Sequence, residues 1–161
     1  MPGSPGDRFE STIDGVFMRI RLGFLLALAI ASCVPPTAAQ TATITNSVNV
    51  RAGPDNSFPT VTWLLGGKSV TVEGCTANWR WCDVSAGRDR GWVYARFLSY
   101  PFNGSAVTIL KGGPNLGLPQ VDFSLGPYWD AHYQAQRWYG QKADMQRSWD
   151  RRPPPRAWRE P

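Results

Sequence analysis

Residues Gly67–Val84 read GKSVTVEGCTANWRWCDV, and their pattern decides the fold class. Val70 and Val72 alternate with Thr71 and Glu73, the two-residue period of a strand with one buried face. A tight turn is expected near Ala77-Asn78, after which WRWCDVSA runs back. Six residues separate Cys75 from Cys82, the spacing of a short hairpin.

The same grammar extends to both sides. Upstream, TITNSVNVRA alternates, with Ile44, Val48 and Val50 expected to point inward. GPDNSFP follows as a turn-rich loop, and TVTWLL is a second run ended by Gly66-Gly67. Downstream, GRDR breaks the chain and GWVYARFL closes the unit. Short runs at regular spacing argue a sandwich or a small barrel. The composition agrees: 16 Gly, 14 Pro and 8 Trp favour an all-β unit with turn-rich linkers over a helical bundle. A unit below about 60 residues has a marginal core, so a covalent staple makes physical sense.

Taken in order, VNVRAGP (Val48–Pro54), GKSVTVEG (Gly67–Gly74), WCDV (Trp81–Val84) and GWVYARFL (Gly91–Leu98) resemble the bacterial SH3 domain. The resemblance covers roughly a third of the chain. It implies a small five-stranded SH3-like barrel, with an RT-type loop after VNVRAGP. ARFL resembles the short 3₁₀ turn that ends such barrels, with Phe97 and Leu98 plugging one end. The family's exported members imply a binding module directed at peptidoglycan or another envelope component. The residues themselves have local roles as well. Gly53-Pro54 turns the chain out of its strand, and Gly91 permits a close strand approach before Trp92.

Aromatic residues exceed what so small a core can hide. Trp63, Trp79, Trp81, Trp92 and Tyr94 fall in or near the unit, and exposed rings beside loops make good contact surfaces for sugars or peptides. Trp79, at the hairpin tip, is the best exposed candidate, whereas Trp81 and Trp92 also suit partly buried packing. Asn49, Arg51, Asp55 and Asn56 line the expected RT-type loop and can supply polar contacts. The candidate binding set is therefore Asn49, Arg51, Asp55, Asn56, Trp63, Trp79, Trp92 and Tyr94. Recognition of PxxP peptides is not expected, because the acidic loop that accompanies it is not evident.

The N-terminal sequence reads as an address. LGFLLALAIASCV (Leu22–Val34) is a 13-residue apolar run, shorter than the ~20 residues that span a bilayer. Arg19 and Arg21 precede it, and Thr37, Ala38 and Ala39 follow Pro35-Pro36, as in a secretory signal peptide. Acidic residues among the first 17 spoil a positive start, which makes Met18 the expected true start. Cleavage between Ala39 and Gln40 is favoured. The alternative is a lipoprotein box ending at Cys33, which would leave a lipid anchor. Export, periplasmic or secreted, would place Cys75 and Cys82 in an oxidising compartment as a disulfide pair.

Beyond Pro101 the composition changes. Residues 1–39 are thus read as extension and signal peptide, 40–101 as the barrel, and 102–161 as a Trp/Pro/Arg-rich extension, partly irregular or helical. Ala106–Leu110 and Val121–Leu125 suggest a hairpin or two strands packed on the barrel, and YWDAHYQAQRW a short helix with Trp129 and Tyr133 on one face. GGPNLG lacks the Gly-Lys-Ser/Thr ending of a phosphate loop. From Arg137 on, seven basic residues stand against three acidic ones, which suits an anionic membrane surface. The terminal RRPPPR favours an extended polyproline form. A formal net charge of +5 is too weak to argue nucleic-acid binding, and no nucleic-acid partner is expected.

Catalysis is not visible. His132 is the single histidine and has no evident partner motif, and the cysteine pair suits a disulfide better than a nucleophile. Two cysteines leave metal coordination incomplete. The chain is therefore read as a non-enzymatic binder without metal or cofactor. Its alternative role is a periplasmic protein–protein adaptor that docks through the Trp-rich extension.

Overall fold

A computed structural model describes residues 40–152. The expected signal peptide with Met18, Cys33 and Ala39, and the proline-rich end from residue 153 on, lie outside these residues. Eight strands form one sheet: β1 (Thr41–Ile44), β2 (Val48–Arg51), β3 (Thr60–Leu64), β4 (Ser69–Cys75), β5 (Trp81–Ala86), β6 (Asp89–Tyr94), β7 (Leu98–Phe102) and β8 (Ser105–Thr108). Their order is β3-β2-β6-β5-β4-β1-β7-β8, and every pairing is antiparallel. The all-β class agrees with the expectation and is consistent with an SH3-like fold.

The strand count corrects the expected five. Thr45 and Asn46 bend the first run and divide it into β1 and β2. The other two additions form the β7–β8 hairpin, which turns on Asn103-Gly104, both at positive φ (48° and 75°). Asn-Gly is the dipeptide that such a two-residue turn demands. The hairpin straddles residue 101, so the expected boundary at 101/102 falls inside β7. The expected run Ala106–Leu110 is divided between β8 and a short helix, α1 (Ile109–Gly112). Val121–Leu125 is not a strand: one bridge joins Gln120 to Cys75, and Leu125 opens α2 (Leu125–His132). A last helix, α3, spans Lys142–Asp150. Among the described residues no helix is long and apolar enough to cross a membrane.

The central strands are buried on both faces. Cys82 and Val84 of β5 and Val93 of β6 enter the main core with Ile44, Val70, Val72 and Leu98. Their neighbours Asp83 and Trp92 point the other way and are buried too. That second face is covered by residues after Val121. Phe58 and Ala52 pack there with Leu125, Trp129 and Tyr133, and Phe123, Tyr128, Trp138 and Trp149 join them. Trp129 is fully buried and donates its indole N–H to the Ala52 carbonyl at 2.8 Å. The close approach expected at Gly91 is present: a Cβ there would lie 2.6 Å from the Arg51 carbonyl oxygen.

Cys75 and Cys82 are joined as a disulfide and sit opposite each other in the β4–β5 ladder. Closing so short a loop is worth roughly 2.5 kcal/mol in the chain-entropy account. The Cys75→Ser/Cys82→Ser variant is therefore expected to lose about that much stability in a urea melt. An unchanged midpoint would show that the hairpin is held without its staple.

Candidate functional site

The hairpin that the disulfide closes also builds a cleft. β5 and β6 are joined by the two residues Gly87 and Arg88, with Ala86 opposite Asp89. Following that register back along the ladder brings Trp81 opposite Tyr94. Their rings meet edge to face at 5.5 Å, and Phe97, on the 3₁₀ turn Ala95–Phe97, extends the row at 6.3 Å from Tyr94. All three rings are half-buried, so their edges and part of their faces remain open to solvent.

These rings form one wall of a cleft of about 450 Å3. Asp55 and Asn56, from the loop between β2 and β3, reach it from the other side, and Arg80 and Arg96 complete it. Arg96 also lies over the Phe97 ring at 5.2 Å. Neither Arg80 nor Arg96 has a carboxylate partner among the described residues. Asp55 is already engaged. It pairs with Arg152 at 3.0 Å and accepts the Ser57 N–H at 2.8 Å. Burial raises the Asp55 carboxyl, but the Ser57 and Arg152 bonds outweigh it and hold the group below its ordinary value. The cleft thus presents two uncommitted guanidinium groups beside a neutralised acid.

A second cleft, of about 550 Å3, adjoins the first and shares Arg80 and Tyr94 with it. Its far side carries Lys111 of α1 and Gln120. Trp79 contributes to its floor.

The expected binding residues divide into four groups. Asp55, Asn56 and Tyr94 come together at the first cleft. Asn49 and Trp63 are both exposed, Trp63 at 57 %, and face each other as a cross-strand pair on β2 and β3, apart from that cleft. Arg51 is half-buried and donates to the Phe58 carbonyl at 2.9 Å, which holds the β2–β3 loop.

Trp79 and Trp92 require correction. Trp79, expected exposed at the hairpin tip, is only 8 % exposed. Its backbone takes a left-handed φ of 57°, and its ring packs by Gly113 in the main core with Ile109 and Leu116. A bulky residue keeps such a φ only where packing over-determines it. Trp92 is 1 % exposed because Phe123 and Tyr128 cover its ring at 5.5 and 6.0 Å. Its indole N–H has no acceptor among the described residues.

Arg80, Arg96 and Phe97 line the cleft without having been proposed as contacts, and Trp81, one of the surplus rings, lines it although it stands outside the candidate set. Only the β5–β6 register could have found them. Reading GRDR as a four-residue break hid that register; reading Gly87-Arg88 as a two-residue turn reveals it.

Among the described residues the cleft is lined by no histidine, cysteine or serine, and its one carboxylate is Asp55. His132 meets Tyr128 edge to face at 4.7 Å, and burial lowers its pKa from the ordinary imidazole value. Both cysteines among the described residues, Cys75 and Cys82, are joined in the disulfide. Among the described residues no cluster of His, Cys, Asp or Glu could hold a metal ion.

Residues 46–99, about a third of the chain, match the model of the family described as bacterial SH3 domain. No curated protein and no solved structure matches the chain.

Proposed function

We propose that the bacterial SH3 domain carried by this chain is an exported, non-catalytic module that binds peptidoglycan or another component of the cell envelope. The family is one of binding modules and is not catalytic on its own. The observation that carries the proposal is the row Trp81–Tyr94–Phe97, solvent-accessible and flanked by Arg80 and Arg96. Aromatic edges and faces take up the C–H surfaces of sugars and side chains, while the flanking polar groups fix orientation. The disulfide suits an oxidising compartment and so supports export. In this reading the barrel is the SH3-like core of the larger sheet, and β7–β8 and the C-terminal helices are additions to it.

The Trp-rich extension supports an adaptor role less well. Trp129 is fully buried, and Trp138 and Trp149 are half-buried against Tyr133, Phe58 and Phe123 within the chain, so much of the ring surface of the extension is already spent on its own fold. Membrane association through the basic end is supported less well too: of its seven basic residues, Lys142, Arg147 and Arg152 are paired with Asp130, Asp144 and Asp55 within the chain, and Arg156 and Arg159 lie outside the described residues.

Co-sedimentation with purified cell-wall sacculi tests the proposal. The wild-type chain is expected to pellet with sacculi at low salt. Trp81→Ala and Tyr94→Ala are each expected to weaken binding about tenfold, the loss usual for a central aromatic contact. Failure of the wild type to pellet overturns the proposal. Wild-type binding by both variants overturns the assignment of the cleft.

A further inference from the structure

We infer that the cleft takes a peptide bearing free carboxylates, with Arg80 and Arg96 as the groups that hold them; this rests on the envelope-binding reading above. Charge complementarity is the first argument. Arg80 and Arg96 stand at the cleft without an acidic partner among the described residues, and the one carboxylate lining it, Asp55, is occupied by Arg152 and Ser57. A guanidinium offers a planar fork of donors matched to a carboxylate.

Continuity is the second argument. Arg80 belongs to both adjoining clefts, and Lys111 lies in the second, so cationic groups follow one another along the groove. That arrangement suits an extended ligand with more than one negative charge. The remaining polar groups decide what kind of chain carries those charges. Asn56 in the first cleft and Gln120 in the second are exposed side-chain amides. An amide both donates and accepts, which complements the N–H and C=O of a peptide, whereas a polyphosphate chain has acceptors only. The half-buried rings between them accept aliphatic side chains of the same peptide.

The test uses the purified full chain and sacculi in two forms, native and with their free carboxyl groups converted to neutral amides by carbodiimide coupling. Native sacculi are expected to bind at least tenfold more protein than amidated sacculi. Arg80→Gln/Arg96→Gln is expected to bind native sacculi only as weakly as the wild type binds amidated ones, and to be indifferent to amidation. Both arginines are exposed, so the variant keeps its fold, which circular dichroism checks. Arg88→Gln, in the exposed β5–β6 turn, is expected to match the wild type on both forms. Equal wild-type binding to native and amidated sacculi overturns the carboxylate assignment and leaves the envelope reading intact. Loss of binding only when phosphate polymers are stripped from the sacculi overturns it in favour of a phosphate ligand. No binding to either form overturns both readings.

Discussion

Replacing Trp129 with alanine is expected to destabilise the protein by about 3–5 kcal/mol, the cost of emptying a fully buried aromatic site. For a domain of this size that corresponds to a fall in melting temperature on the order of 15 °C. The indole does two things at once. Its ring fills the space between Phe58, Tyr133 and Trp138, and its N–H satisfies the Ala52 carbonyl. Ala52 follows directly on β2, so this one side chain ties α2 to the loop whose Asp55 and Asn56 line the cleft. Trp129→Phe keeps much of the ring but strands the carbonyl, and about 1–3 kcal/mol is expected for that loss. Thermal unfolding followed by circular dichroism gives both values. A Trp129→Ala protein that melted within 2 °C of the wild type would show that the C-terminal layer adds nothing to the sheet beneath it.

The Trp129 prediction runs against the sequence reading, and the reason is physical. Val70, Val72, Ile44 and Val50 could be placed inside from their alternation, and all four are buried. The disulfide pair was legible from spacing and compartment, and Gly91 from its place before Trp92. Alternation, however, assumes that a strand's other face meets water. In β5 and β6 it meets the C-terminal aromatic layer instead, so Asp83 and Trp92 are buried, Trp92 fully where partial burial suited it. The surplus rings divide: Trp63 is exposed, Trp81 and Tyr94 line the cleft, Trp79 fills the main core, and Trp92 packs against an aromatic layer contributed by residues distant in sequence, which no local pattern in residues 40–101 announces. The hairpin at Asn103-Gly104, by contrast, carries a plain local signal in its dipeptide, and the apolar runs after it, Ala106–Leu110 and Val121–Leu125, draw the reading away from it. At the cleft, polar loop residues were legible as turn chemistry. The arginines were not, because Arg80 and Arg96 acquire meaning only when the β5–β6 register sets Trp81 beside Tyr94.

The same two-sided burial makes Asp83 the second position where a large effect is expected. Its carboxylate is 3 % exposed and accepts three hydrogen bonds, from Arg90 Nε at 3.0 Å, Arg90 Nη2 at 2.7 Å and the Tyr128 hydroxyl at 2.6 Å. Burial pushes the Asp83 carboxyl above its ordinary value, and the Arg90 and Tyr128 bonds pull against that shift. Burial, reinforced by Asp83, likewise raises the Tyr128 phenol, which keeps it protonated and donating. Asp83 and Arg90 come from β5 and β6, whereas Tyr128 comes from α2, so the cluster is the polar counterpart of the Trp129 contact. Tyr133 supports it by donating to the Arg90 carbonyl at 2.9 Å. Asp83→Ala removes the acceptor and leaves a buried hydroxyl and a partly buried guanidinium without it. Breaking one side of a buried pair costs about 3–5 kcal/mol, and the lower end is expected because Arg90 retains access to water. Asp83→Asn preserves an acceptor for Tyr128 and is expected to lose less. Tyr128→Phe alone is expected to cost about 1.5–3 kcal/mol, the range for a hydrogen bond to a charged group. In a double-mutant cycle Asp83→Ala and Tyr128→Phe should couple by about 1 kcal/mol or more, since each removes the other's partner. Additive costs would mean that Asp83 serves Arg90 within the hairpin rather than the joint with the C-terminal layer.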